Sequence, residues 1–138
     1  MNDIRERIEI SFQSQGLMAT LGAQLLSVAD GEVQIEMPFS ARITQQHGYA
    51  HAGAITSVVD SACGYAALTL ASPGGEVVTA EFKINFLRPA IGERFVAIGR
   101  VQRAGKLLTV CTGEVRAFAG TSWNVVAIMQ ATIVNVSS

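Results

Sequence analysis

The chain has 138 residues and a net charge of −1, with an isoelectric point near 6.1. That length suits one domain, spanning residues 1–138, with a core of its own. The charge balance and the lack of any Lys/Arg cluster exclude an electrostatic nucleic-acid footprint. Hydrophobic residues make up 49% and charged residues 15%, a composition that predicts apolar surface buried between copies of the chain.

Residues 2–15 place Ile4, Ile8 and Phe12 on one face of a short amphipathic helix, with Asn2 or Asp3 able to cap its start. Gly16 and Gly22 punctuate the next stretch. Two strands are then expected, Ala23–Val28 and Glu32–Pro38, joined through Ala29-Asp30-Gly31, a hairpin signature. In the second, Val33, Ile35 and Met37 alternate with Glu32, Gln34 and Glu36, the period of a strand with one wet face.

After a loop over 39–50, a helix is predicted over 52–71 and closed by Pro73-Gly74-Gly75. Four strands follow, over 77–88, 93–103, 106–118 and 122 to about 136. In the first of them Val78, Ala80, Phe82, Ile84 and Phe86 are read on one face, and Thr79, Glu81, Lys83 and Asn85 on the other. Four strands in succession predict an antiparallel meander, and the long helix is too apolar to lie on an open surface. The fold class is therefore α+β: a curved six-stranded antiparallel sheet wrapped around one long helix, with a short N-terminal helix and a partner subunit to cover the rest.

The chemistry-bearing stretch is 45–72, QQHGYAHAGAITSVVDSACGYAALTLAS. Ile55, Val58, Val59, Ala62 and Ala66 recur at the spacing of a buried helix stripe. Asp60 is the one permanent charge from His51 to Ser72. A carboxylate on such a helix needs a partner, an opening to solvent or a chemical task. Helical spacing puts it with Ser57, Ser61 and Gly64 on a separate, polar stripe. A structural acid satisfied by hydroxyls and a catalytic one both fit that placement.

The start of the helix, at His51-Ala52-Gly53, offers unsatisfied backbone N–H donors at the positive end of its dipole, suited to a developing oxyanion. Small residues there also simply permit close packing. His47 and His51 each fit a general base or a structural hydrogen bond, but further metal ligands at suitable spacing are missing, so no metal site is expected. Cys63 and Cys111 read as buried, reduced thiols, and the expected compartment is the cytoplasm. The 52–72 span is interrupted by Asp60, Gly53, Gly64 and several hydroxyl side chains, against a membrane crossing. No nucleophile elbow, phosphate-binding loop or dinucleotide fingerprint occurs.

The pattern Gly48-x-x-His51-x-Gly53, with an acid nine residues after the histidine, resembles the hotdog-fold acyl-CoA thioesterases of the phenylacetate-degradation, PaaI-like type. The segments Thr79–Ala90 and Arg103-Ala-Gly-Lys106 are similar to that family too, so the resemblance runs from the first strand to the last. It implies that Asp60 is the catalytic general base or nucleophile, that the backbone N–H at Ala52 polarises the thioester carbonyl, that Thr79 stands near the acid, and that Gln45 helps hold the carbonyl or the water. Two positions depart from the family pattern: Ala52 stands where a glycine is usual, and Gln45 where asparagine is frequent.

The resemblance further implies a site between subunits of a homodimer, commonly a dimer of dimers. It implies hydrolysis of an acyl- or aryl-CoA thioester without a cofactor, coenzyme A entering as part of the substrate. Arg88, Arg103 and Lys106 are the candidates for its phosphates. Two other readings are a hotdog hydratase or dehydratase acting on a thioester-bound acyl chain, and a non-catalytic acyl-CoA-binding module.

Overall fold

A computed structural model describes residues 2–136 of the chain. Helix α1 (Asn2–Gln13) buries Ile8 and Phe12 as its spacing predicts. Asp3 stands in its first turn, and the capping expected of Asn2 concerns a side chain outside the described set. A second helix, α2 (Gly16–Leu21), follows where only punctuation is expected. Gly16 starts this helix instead of breaking the chain, and Gly22 ends it in the left-handed conformation at φ +68°. Met18, on its inner side, is buried.

Strands β1 (Gln24–Ala29) and β2 (Glu32–Pro38) form the expected hairpin, with Gly31 at φ +76° in the turn. The Gly31 N–H donates to Thr69 Oγ1 at 2.8 Å, tying this turn to the far end of the long helix. A 3-10 turn, Ala41–Ile43, interrupts the loop before helix α3 (Ala52–Thr69). Ile55, Val58, Val59, Ala62 and Ala66 are all fully buried, as the stripe predicts.

The remaining strands are β3 (Glu76–Phe86), β4 (Arg94–Ala104), β5 (Leu108–Ala119) and β6 (Ser122–Val136). One antiparallel sheet holds all six strands in the order β1-β2-β4-β5-β6-β3. The meander expectation holds for β4, β5 and β6 and fails for β3, which crosses to the far edge beside β6. A connection over residues 87–93, containing Pro89 and Gly92, allows that crossing where a tight turn would not. The sheet therefore has β1 and β3 as its edges, and β3 offers eleven residues of one-sided backbone.

Helix α3 lies in the concave face, against a notch made by two glycines. Gly99 on β4 and Gly113 on β5 are cross-strand partners. A Cβ on Gly99 would fall 2.4 Å from the carbonyl carbon of Ala62, and one on Gly113 would fall 2.5 Å from Val59 Cγ2. Only glycine admits the helix this close.

The simple alternation expected for β3 is broken by a bulge. Thr79 pairs with Ile133 and Glu81 with Thr132, leaving Ala80 as the extra residue. Val77 and Thr79 thus face α3 before the bulge, and Phe82, Ile84 and Phe86 face that side after it. Val78, expected inside, points outward and is 53% exposed. Among the described residues, no helix is long and apolar enough to cross a membrane.

Candidate active site

Asp60 is half-buried two turns into α3. The bulge at Ala80 turns Thr79 toward it, and Thr79 Oγ1 donates to Asp60 Oδ1 at 2.8 Å. Both line a cavity of about 280 Å³ with Ser11, Gln15, Ser61, Gly64 and Tyr65. Ser61 and Gly64 share the helix stripe of Asp60 and are legible from spacing. Ser11 and Gln15 lie more than forty residues away in sequence and reach the cavity because the end of α1 and the turn after it lie against α3, for which one sequence carries no signal.

His51 caps the start of α3. Its Nδ1 accepts from the Gly53 N–H at 2.7 Å, so the imidazole hydrogen sits on Nε2. The Ala54 and Ile55 N–H groups both donate to the His51 carbonyl, at 3.0 and 3.2 Å. Among the described residues this leaves the Ala52 N–H as the donor of the first turn without a partner inside the chain. The Gly53 N–H is therefore taken up by the cap, which corrects the expectation that it is among the unsatisfied donors of the helix start and leaves Ala52 in that place. The lack of a side chain at Gly53 leaves room for the cap, since a Cβ there would stand 3.0 Å from His51 Nδ1.

Ala52 and His51 line a second cavity, of about 270 Å³, together with Gln45, Tyr49, Phe86 and Arg88. Gln45, to which the resemblance gives a part in holding the carbonyl or the water, lies in the cavity of Ala52 but turns its amide oxygen to its own loop. Its Oε1 accepts from the His47 and Tyr49 N–H groups, at 2.6 and 3.3 Å, closing the loop on itself and leaving only Nε2 to offer a hydrogen. His47 is exposed.

The two halves are apart in one chain. Asp60 comes eight residues after Ala52 on the helix, about 12 Å along the axis. The three basic candidates divide in the same way. Arg88 follows the end of β3 nearest the start of α3, whereas Arg103 and Lys106 lie at the β4–β5 turn, the opposite end of the sheet. Asn135 Nδ2 holds that turn through the Gly105 and Lys106 carbonyls, at 2.9 and 3.1 Å.

Cys63 and Cys111 are fully buried. Burial pushes the Cys63 thiol far up from the ordinary value, with Cys111 and Asp60 adding to the effect. Burial alone pushes Cys111 up to about 11. Both are protonated packing groups rather than nucleophiles.

A hydroxyl-anchored carboxylate and an unpaired helix-start N–H, on a sheet wrapped around one helix, are groups whose chemistry suits acyl transfer. The Thioesterase superfamily profile matches residues 47–123, which takes in the α3 residues of both cavities and most of the sheet. The chain belongs to the thioesterase superfamily. It is a thioester hydrolase of the hotdog fold.

A thioesterase family protein from Silicibacter pomeroyi is 42% identical to it, with a TM-score of 0.95 over 98% of this chain and 99% of that one. The acyl-coenzyme A thioesterase PaaI of Escherichia coli strain K12 is 28% identical over 96 residues, 69% of this chain and 66% of PaaI. The structure of the E. coli PaaI protein from the phenylacetic acid degradation operon superposes with a TM-score of 0.89 over 99% of this thioesterase and 96% of PaaI, at 21% identity, a likeness of fold.

Proposed function

We propose that this thioesterase hydrolyses acyl- or aryl-CoA thioesters at a site assembled from two copies of the chain, Asp60 and Thr79 coming from one and the Ala52 N–H from the other. The observation that carries this reading is the separation of about 12 Å between the acid and the unpaired donor along α3. A reacting carbonyl needs its oxygen at the donor and its carbon within about 3.5 Å of the attacking atom. One chain cannot supply both.

The exposed edge supplies the means. β3 is an edge strand whose helix-side residues Phe82 and Phe86 are 43% and 45% exposed. Antiparallel pairing of two β3 strands about their middle satisfies the free backbone and covers those rings. It also brings the Thr79 end of one copy to the Phe86 end of the other, where Ala52 and Arg88 stand. The same pairing gathers Arg88 of one copy near Arg103 and Lys106 of the other, a setting for the CoA phosphates. A dimer of dimers in the cytoplasm is the assembly we propose.

In the reaction, Asp60 takes a proton from water through Oδ2 while Thr79 holds Oδ1. The hydroxide attacks the thioester carbon and the oxyanion forms against the Ala52 N–H. Collapse breaks the C–S bond, and the CoA thiolate leaves with the proton from Asp60. Direct attack by Asp60 would instead expel the CoA thiolate to give a mixed anhydride; its hydrolysis by water at the Asp60 carbonyl carbon leaves an Asp60 oxygen in the product acid, which isotope labelling in a single turnover detects. Either course needs only the carboxylate, the donor and water.

The experiment is complementation. Ala52 is the first residue of α3, a position where proline is tolerated and the N–H is deleted. Ala52→Pro and Asp60→Asn are each expected to lower turnover at least a hundredfold. Refolded together, half the dimers are mixed and each mixed dimer carries one intact site, so about a quarter of wild-type activity returns. No recovery on mixing would refute the shared site.

A further inference from the structure

Gly64 occupies the interior of α3, where glycine is disfavoured relative to alanine. The notch glycines have a packing reason, since a Cβ on either would collide with α3. Gly64 has none: a Cβ built there meets no atom within 4 Å. The open space above it is the cavity that holds Asp60, one helical turn away on the same stripe.

The wall across that space is fixed. Tyr65 Oη accepts from Gln15 Nε2 at 2.8 Å and lies 3.0 Å from Ser11 Oγ, while Ser61 Oγ lies 3.5 Å from Gln15 Oε1. Arg7 anchors α1 to the start of β3 through the Gly75 carbonyl and, at 2.8 Å, the Glu76 carboxylate. A wall tied at several points does not retreat, so the room beside the acid depends on what residue 64 carries. Leu68 and Val77 add apolar surface to a lining that is otherwise largely polar and includes the Glu76 carboxylate at its edge.

We infer that Gly64 is a specificity-determining residue: by carrying no side chain it admits an acyl group with bulk beyond its α-carbon, a ring or a branched chain, beside Asp60. This rests on the proposed thioesterase site. Gly64→Val fills the space and trims the pocket toward acetyl-sized groups, and Gly64→Ala does so partially.

The test measures kcat/KM for phenylacetyl-CoA and acetyl-CoA in the wild type and both variants, together with the Kd of the matching non-hydrolysable thioether analogues. The phenylacetyl-to-acetyl ratio is expected to fall at least about tenfold in Gly64→Val and severalfold in Gly64→Ala, in turnover and in binding alike. If the valine variant does not fold, the alanine variant carries the test. A wild type that hydrolyses the panel while the ratio stays constant across variants overturns the role of Gly64 alone. A wild type that binds the analogues but hydrolyses nothing overturns the proposed reaction, and the binding ratio then decides Gly64. Failure to bind any analogue overturns both.

Discussion

Thr79 gives its hydroxyl hydrogen to Asp60 Oδ1 at 2.8 Å, and it does so because the extra residue Ala80 reverses the phase of β3. Without that bulge, the alternation that puts Phe82, Ile84 and Phe86 toward the helix would turn Thr79 away. The hydrogen bond fixes one carboxylate oxygen and leaves Oδ2, which the proposed reaction assigns to water.

Removing this bond tests its part in the reaction. Thr79→Ala is expected to lower kcat about 10- to 100-fold, the range of a hydrogen bond to a charged group. Thr79→Ser restores most of that loss. Steady-state kinetics on a thioester the wild type accepts makes the comparison, and equal activity of the alanine variant would show that the bond is only structural.

The helix seat makes a prediction about stability. Gly99→Ala and Gly113→Ala each force a Cβ into α3, with an expected loss of about 2 kcal/mol or more and a fall in Tm of roughly 5 to 10 °C at fixed protein concentration. Gly64→Ala, in open space, is expected to raise stability by about 1 kcal/mol. Thermal unfolding of the three variants side by side checks the contrast.

His51 acts on the helix start through its ring acceptor. His51→Ala is expected to lose about 1 kcal/mol, and His51→Asn, which keeps a capping acceptor, to recover most of it. Denaturant unfolding measures both. If activity tracks the cap, the asparagine variant also retains turnover, whereas a general base at this position would be lost in both variants.

The two thiols are expected to be silent in the native protein. A folded-state value raised by burial from 9.0 to about 11 means that Cys111 stays protonated at pH 8. The stability that this contributes is complete below pH 9 and is lost as pH rises through about 11. A chromogenic thiol reagent should therefore find no reactive cysteine at pH 8 until denaturant is added, and two afterwards.

Much of this was legible in the residues. The stripe on α3 follows from helical spacing, and the β1–β2 hairpin from Asp30-Gly31 between alternating runs. The solitary Asp60 marks the candidate site. What the residues do not display is pairing. Nothing local says that β3 leaves the meander to lie beside β6, or that Ala80 is an extra residue, because both depend on β6 as a partner. Gly99 and Gly113 look like weak points in strands until the helix is seen seated on them. The part of Gln45 that serves its own loop is equally hidden, since its amide oxygen satisfies the loop that Gly48 turns, at φ +84°, while Nε2 stays in the cavity of Ala52.

The most direct measurement is thiol release from a panel of acyl-CoA thioesters by wild type and Asp60→Asn, with oligomer size and folding verified for both. The account predicts an intact assembly that has lost turnover by two or more orders of magnitude in the variant. Wild-type rates from a folded Asp60→Asn protein would contradict it.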